Sequence, residues 1–271
     1  MPAIPCLSLV IGIMIQSDNR SIDLILPCYN PHEGWQELVV CQYKVLEQAW
    51  PQIQFHLCIV DDGSQYGFEK PVVDFLVTNI VHIKIIRLSK NHGKGYALRE
   101  GIAVCSGDMQ VYTDYDIPYT LTSMSKVISC LLRGADIVVP SRSKMYDRQL
   151  PIFRRCISRL VRWCNHYLFR LPYSDTQAGL KGLGRKGRTV FLNTHIDTYL
   201  CDWEFVLKAS RISTLRIVTT DIELRKDVQL PNFTWSICWN EFVNCLLMLR
   251  YVVLNFLGSV CTVCSNVRTK G

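Results

Sequence analysis

The chain has 271 residues, 49% of them hydrophobic and 20% charged, with 30 Lys+Arg against 23 Asp+Glu and a net charge of +7. A chain of this length holds one large domain or two small ones and buries about three quarters of its unfolded surface, so it folds without staples. Its apolar share excludes a disordered or collagen-like chain. It has no Lys/Arg block and no basic stripe interleaved with aromatics, so the modest positive charge suggests anionic partners and argues against nucleic acid.

In chain order, residues 1–20 read as an N-terminal extension. The run from Ala3 to Ile15 is apolar, but Met1–Val10 holds no Lys or Arg, so a secretory signal is disfavoured, and the run is short for a membrane span. A start at Met14 fits equally well. From residue 21 to about 230, short apolar runs alternate with helix-like stretches. The strands expected are Ile22–Leu26, Phe55–Val60, Ile83–Leu88, Met109–Thr113 and Asp136–Pro140, continuous runs that suit burial on both faces. The helices expected are Trp35–Gln48, Gly67–Asn79, Lys94–Cys105 and Thr120–Arg133. This alternation predicts an α/β domain, a mostly parallel sheet flanked by helices, with its ligand at the C-terminal ends of the strands.

Residues 231–271 are expected to form an apolar C-terminal helical segment. Phe242–Cys264 is long enough to cross a bilayer, although Arg250 at its centre costs about 2.5–3.5 kcal/mol on an insertion scale. Asn240, Asn244, Tyr251, Asn255 and Ser259 share one helical face. Packing on its own domain or a dimer partner, lying in a membrane interface and spanning it all fit, and the oligomeric state stays open. The 13 cysteines are odd in number and irregularly spaced. Cys58, Cys105 and Cys130 sit in apolar runs, as free thiols do in a reducing compartment, and the one CxxC, Cys261 and Cys264, lacks the partners of a zinc site. A cytoplasmic chain is the expectation.

The polar residues just after each strand form a coherent set: Pro27-Cys28-Tyr29-Asn30, Asp61-Asp62-Gly63-Ser64, Asn91-His92-Gly93-Lys94-Gly95, Asp114-Tyr115-Asp116 and Ser141-Arg142. Each alone is an ordinary turn; together they put acidic pairs, a lysine and an arginine on one rim. A dinucleotide fingerprint is excluded because Pro27–Gly34 holds one glycine, and a P-loop because Gly95 follows Lys94 where Ser or Thr is required. The set suits a nucleotide-sugar, which leaves as a diphosphate whose charge a divalent metal neutralises. Mg²⁺ or Mn²⁺ takes hard oxygen ligands, and Asp114 and Asp116 at a strand end suit metal and ribose together. Asp61 is placed to accept from a base N–H or a ribose hydroxyl, and Lys94 to bring positive charge to the nucleotide.

The motifs LILPCYN (Leu24–Asn30), IVDDGS (Ile59–Ser64), NHGKGYALREG (Asn91–Gly101), TDYD (Thr113–Asp116), PSR (Pro140–Arg142), DTQAGLKG (Asp175–Gly182) and CDWEFVLKA (Cys201–Ala209) resemble the family 2 inverting glycosyltransferases, which have the GT-A fold. The similarity runs from about Ile22 to Asp227. Its last three motifs look closest to the dolichyl-phosphate mannose and glucose synthases and their bacterial polyprenyl-phosphate relatives. The resemblance implies that Pro27, Tyr29, Asn30, Asp61 and Asp62 hold the nucleotide, and that Asp114 and Asp116 bind nucleotide and metal. It further implies that Arg142, Arg154 and Ser158 bind the acceptor phosphate. One departure is Pro118, where such enzymes often carry a metal-binding Gln; a proline side chain cannot ligate.

The acceptor sets the mechanism. A lipid phosphate is already anionic at neutral pH and needs cationic partners, for which Arg142, Arg154 and Arg155 are available, but no general base. A sugar hydroxyl of a growing surface glycan needs a carboxylate to take its proton, and Asp202 and Glu204 are the candidates, with core roles for Trp203 and a capping role for Glu204 as the structural alternative. Asp175 reads as a residue that positions the acceptor loop. The Arg-rich segment Tyr146–Leu171, with Phe153, Trp163 and Phe169, suits anionic headgroups, so the expectation is a peripheral enzyme at the inner face of a membrane, using a UDP- or GDP-sugar. A nucleotidyltransferase would carry a glycine-rich turn after the first strand, and a silent binding module would not need the Asp114/Asp116 pair.

Overall fold

The computed structural model describes residues 20–142 and 178–228 without a break, together with isolated positions between 162 and 176 and residues 243, 246 and 250. Chain order is β1 (Arg20–Cys28), α1 (Trp35–Ala49), β2 (Ile53–Asp61), α2 (Lys70–Asn79), β3 (Ile83–Arg87), α3 (Lys94–Val104), β4 (Met109–Tyr112), α4 (Leu121–Leu132), β5 (Ile137–Arg142), β6 (Lys181–Leu183), α5 (Arg185–Leu192), α6 (Cys201–Ser210) and β7 (Ile217–Ile222). The strands form one seven-stranded sheet in the order β3-β2-β1-β4-β6-β5-β7. All pairings are parallel except those of β6, which runs antiparallel to both β4 and β5.

The five strands and four helices expected up to residue 140 are present, with ends shifted by a few residues. The largest shift is in α2, which begins at Lys70, with Pro71 in its first turn, where the missing N–H costs nothing. The expectation omitted β6, α5, α6 and β7. The three-residue KGL of β6 is too short to carry a pattern, and β7 (IVTTDI) is a partly exposed edge strand rich in polar residues. Apolar side chains on one face of the sheet pack against α1, α2 and α4, and those on the other against α3, α5 and α6. Local chemistry sets several ends. Thr120 caps α4 by accepting from the Ser123 N–H at 3.2 Å, and Trp35, at the start of α1, donates its indole N–H to the Gly67 carbonyl at 3.1 Å.

Register places the site. Cys28 at the end of β1 pairs with Asp61 at the end of β2, which pairs with Arg87 at the end of β3. Because β6 is antiparallel, its first residue, Lys181, lies beside Tyr112 at the end of β4. The C-terminal ends of the parallel strands and the start of β6 therefore share one rim. The expected extension at 1–20 precedes β1, and all of it but Arg20 lies outside the described residues. So does most of 231–271, where Val243, Leu246 and Arg250 are helical. No helix among the described residues is long and apolar enough to cross a membrane.

Helix α3 reaches the sheet through Gly101, where an added Cβ would lie 2.7 Å from Ile25 Cγ2 and 2.9 Å from Val60 Cγ2. Both neighbours are β-branched and stiff. Gly101→Ala gains about 1 kcal/mol of helix propensity but overpacks this contact at a cost of about 1–3 kcal/mol. The expected result is a lower urea midpoint with an unchanged slope, the opposite of what an exposed helix position would give.

Candidate active site

The loops after β1, β2 and β3 are stitched to one another by the polar residues singled out in the sequence. Asn30 adopts φ 47°, its N–H donates to Ser64 Oγ at 2.9 Å, and its Oδ1 accepts from the Gln65 N–H at 2.8 Å. Asp61, 1% exposed, accepts from the Ser64 N–H at 2.8 Å and from Arg87 Nε at 3.0 Å. Asp62 is equally committed: its two oxygens accept from the N–H groups of His92 and Gly93 at 2.8 and 2.7 Å. Gly93 has φ 103°, a conformation L side chains rarely adopt, and an added Cβ would sit 2.4 Å from the Asp197 carbonyl oxygen. Asn30, Asp61 and Asp62 thus hold the loops after β1, β2 and β3 in place. Pro27 is buried, and Tyr29 is 44% exposed.

This frame delivers Lys94. Its Nζ donates to Asp114 Oδ1 at 2.7 Å and lies 3.7 Å from Asp202 Oδ2, with the side chain only 10% exposed. Burial would push this ammonium down, but Asp114 and Asp202 outweigh burial and hold it well above the usual lysine range. Asp202 Oδ1 accepts from Tyr112 Oη at 2.6 Å and lies 3.8 Å from Nζ of Lys181, which is fully buried and also donates to the Ala178 carbonyl. Burial and the Asp202 carboxylate raise the Tyr112 phenol well above its ordinary value. Asp114 is confined from the other side by Gly179: a Cβ there would fall 2.3 Å from Asp114 Oδ2. Neither Tyr112 nor Lys181 was singled out as a site residue by the sequence; each reads as an ordinary strand position until β4 and β6 pair.

Asp116 follows in a tight loop. Burial, then the neighbouring Asp114, raises its carboxyl above the ordinary value. The next residue, Ile117, has φ 41°, a strained conformation for a β-branched side chain, costing about 1–3 kcal/mol. The loop is held by the chain after β7: the Arg225 N–H donates to the Pro118 carbonyl at 2.8 Å and Arg225 Nη2 to the Asp116 carbonyl at 3.2 Å. Two carboxylates one residue apart, one of them disfavoured as an anion by the other, fit a divalent cation. They do so through their oxygens alone, since Pro118 offers no ligand. Cys28 and Cys201 border the site, but burial, then Asp61 and Asp202 respectively, push both thiols up, so neither is poised as a thiolate.

Glu204 departs from the base role expected as one alternative. It is fully buried, its Oε2 accepts from the N–H groups of His195 and Ile196 at 2.8 Å each, and its Oε1 lies 2.8 Å from Lys208 Nζ. It anchors the 195–196 turn, the structural alternative. Trp203 is likewise buried and donates to Asn165 Oδ1 at 3.2 Å, while Asn165 Nδ2 donates to Thr176 Oγ1 at 3.2 Å, tying α6 to the segment that leads into β6. Asp175 is buried in that segment. Arg142 ends β5 on the same rim, with its side chain outside the described residues; Arg154, Arg155 and Ser158 lie outside them altogether. Burial alone would raise the Glu204 carboxyl, but Lys208 and the two N–H groups more than offset it, so its folded value lies below the ordinary 4.5. That stabilisation is therefore complete above 4.5 and fades as pH falls through the folded value. Glu204→Gln is expected to cost about 1–3 kcal/mol at pH 7 in urea unfolding, with the gap to the parent closing in acid.

Residues 23–178 match the model of the family described as glycosyl transferase family 2. The chain is 25% identical over 209 residues to a dolichyl-phosphate beta-glucosyltransferase of Dictyostelium discoideum, an alignment covering 72% of this chain and 64% of that one, so the chain spans less than two thirds of that relative's length. In structure it is similar to mannosyl-3-phosphoglycerate synthase from Rubrobacter xylanophilus, with a TM-score of 0.60 at 15% identity over 82% of this chain and 70% of that one. It is also similar to a mannosyltransferase from Pyrobaculum calidifontis solved with GDP-Man and Mn²⁺, with a TM-score of 0.51 at 13% identity over 75% and 55% of the two chains. With the family model matching more than half its length and this sheet order beneath it, the chain belongs to glycosyl transferase family 2 and has the GT-A fold.

Proposed function

We propose that the protein moves a sugar from a UDP- or GDP-sugar to a polyprenyl or dolichyl phosphate, with inversion at the anomeric carbon. The observation that carries this reading is the state of the two carboxylates a hydroxyl acceptor would need. Glu204 is spent on a turn and Lys208, and Asp202 on Tyr112, Lys94 and Lys181. A hydroxyl nucleophile requires a carboxylate free to take its proton, whereas a phosphate monoester attacks as an anion and requires none. The dolichyl-phosphate acceptor in the name of the Dictyostelium relative supports the same choice.

In this reading Tyr29 lies under the nucleotide base and Asp61 and Asp62 keep the pocket's shape. Asp114 and Asp116 would hold Mg²⁺ or Mn²⁺, which when bound supplies charge neutralisation to the departing diphosphate; the Mn²⁺ and GDP-Man of the Pyrobaculum structure support such a pairing. Lys94 adds a cation on the same side. Arg142 at the end of β5, with Arg154 and Ser158 beyond it, receives the acceptor phosphate. Trp163 and Tyr167, one helical turn apart, 56% and 65% exposed, with ring centroids 5.5 Å from each other, present amphipathic rings of the kind that sit at headgroups, next to Arg162. They support a peripheral seat at the cytoplasmic face of a membrane.

The test is purified protein with Mn²⁺ or Mg²⁺ and a panel of nucleotide-sugars. Nucleoside diphosphate release that depends on polyprenyl phosphate is expected. Release that depends on a glycan and ignores the lipid would replace this reading with the hydroxyl one, and pyrophosphate release would replace it with nucleotidyl transfer. Asp116→Asn is expected to lower lipid-dependent turnover about 100-fold or more. Asp202→Asn is expected to lower it without rescue at high pH, because no proton is taken there. Trp163→Ala with Tyr167→Ala should reduce co-sedimentation with anionic vesicles while leaving turnover on a short, water-soluble prenyl phosphate within a few-fold.

A further inference from the structure

The position of Lys94 has a consequence for the order in which ligands enter the site, and it rests on the reading of Asp114 and Asp116 as the cation-binding pair. Lys94 Nζ already occupies Asp114 Oδ1 at 2.7 Å. Asp114 has little freedom to offer a different oxygen, because Oδ2 lies against the backbone at Gly179, where even a Cβ would fall at 2.3 Å. Lys94 itself is anchored from behind: its side chain is 10% exposed, Asp202 Oδ2 lies 3.7 Å away, and Asp202 is in turn fixed by Tyr112 and Lys181. An ammonium group thus stands where one of the two carboxylates would meet a metal ion, and a divalent ion arriving alone meets a like charge at its ligand.

We infer that Lys94 acts as a resident counter-ion that keeps free divalent metal out of the Asp114/Asp116 site until a nucleoside diphosphate arrives and gives the ammonium a second anion to face. Asp202 makes the exchange possible. When Lys94 gives up Asp114 it keeps an anionic partner, so the buried ammonium is never stranded. Metal and nucleotide then bind with positive coupling, and the coupling is reciprocal: each tightens the other by the same factor. Lys94 is a positioning residue in this role, distinct from the metal ligands and from whatever contact it makes with the diphosphate.

The experiment is equilibrium binding of Mn²⁺ followed by its EPR signal, with and without UDP or GDP, after correction for the Mn²⁺–nucleotide complex in solution. In the parent protein Mn²⁺ alone is expected to bind weakly, and at least tenfold more tightly with nucleoside diphosphate bound. Lys94→Met is expected to bind Mn²⁺ alone at least tenfold more tightly than the parent, and to lose most of the coupling; Lys94→Arg, which keeps the charge, is expected to stay weak. Asp116→Asn should abolish Mn²⁺ binding in both backgrounds. The inference falls if Lys94→Met binds Mn²⁺ no more tightly than the parent, or if the coupling survives in it. Lys94→Gln replaces the methionine variant if that one lacks a cooperative melt. Should neither neutral variant fold, the parent decides: an affinity for Mn²⁺ unchanged by nucleotide overturns the inference, and a tenfold or larger gain supports it. These readouts need no acceptor and no turnover, so failure of sugar transfer to lipid leaves them intact.

Discussion

A buried ammonium group must have anions around it, and much of this domain is arranged to supply them. Lys94 sits between Asp114, at the end of the central strand β4, and Asp202, in the first turn of α6. Neither carboxylate is near Lys94 in sequence. Removing one partner would leave a poorly solvated charge, an expensive state in a protein interior, so the pairing fixes how α3, β4 and α6 meet. Asp202 carries the constraint further, through Tyr112 on β4 and Lys181 on β6.

The surrounding backbone serves the same end. Asp62 holds the N–H groups just ahead of Lys94, which sets the entry of α3. Glu204, in the same turn of α6 as Asp202, holds the 195–196 turn, and the neighbouring Asp197 carbonyl accepts from the Gly95 N–H at 2.7 Å. The strained Ile117 is retained because Arg225 and the chain after β7 clamp the loop on either side of it. Strain of this kind persists where neighbouring structure over-determines it, and here it lies next to Asp116, whose carboxyl is raised by burial and by Asp114. The carboxylate side of the site is thus held in place by the protein's own backbone and cations.

The acidic residues near the site divide by what they touch rather than by their motif. Asp61, Asp62, Asp202 and Glu204 have their oxygens committed to N–H groups, a phenol or cations of the protein. Asp114 is committed to one lysine and remains partly exposed, and the Asp116 carboxyl is raised by burial and by Asp114, with Arg225 only partly offsetting them. The sequence offered the six in different roles: Asp61 and Asp62 for the nucleotide, Asp114 and Asp116 for nucleotide and metal, and Asp202 and Glu204 as a base for a hydroxyl acceptor. Their separation into framework and ligand-facing groups is a matter of distance, and it is why a general base is hard to find here and an anionic acceptor is the simpler reading.

Much of the fold was legible in the residues themselves. Continuous apolar runs such as LILPC and HLCIV suit strands buried on both faces, the runs between them carry helical spacing, and parallel strands put their polar ends on one rim. That pattern alone puts Tyr29, Asp61, Lys94 and Asp114 on one rim. What tertiary structure alone decided was the direction of β6 and the docking of α6. A three-residue strand has no periodicity to read, yet its antiparallel pairing sets a buried lysine beside Tyr112. Asp202 and Glu204, two residues apart on one helix, look alike in sequence and face different partners because the helix turns about 200° between them. Hydrophobic pattern is a local property and survives in the sequence; the pairing of buried charges depends on which distant segments meet, and only the folded chain settles that.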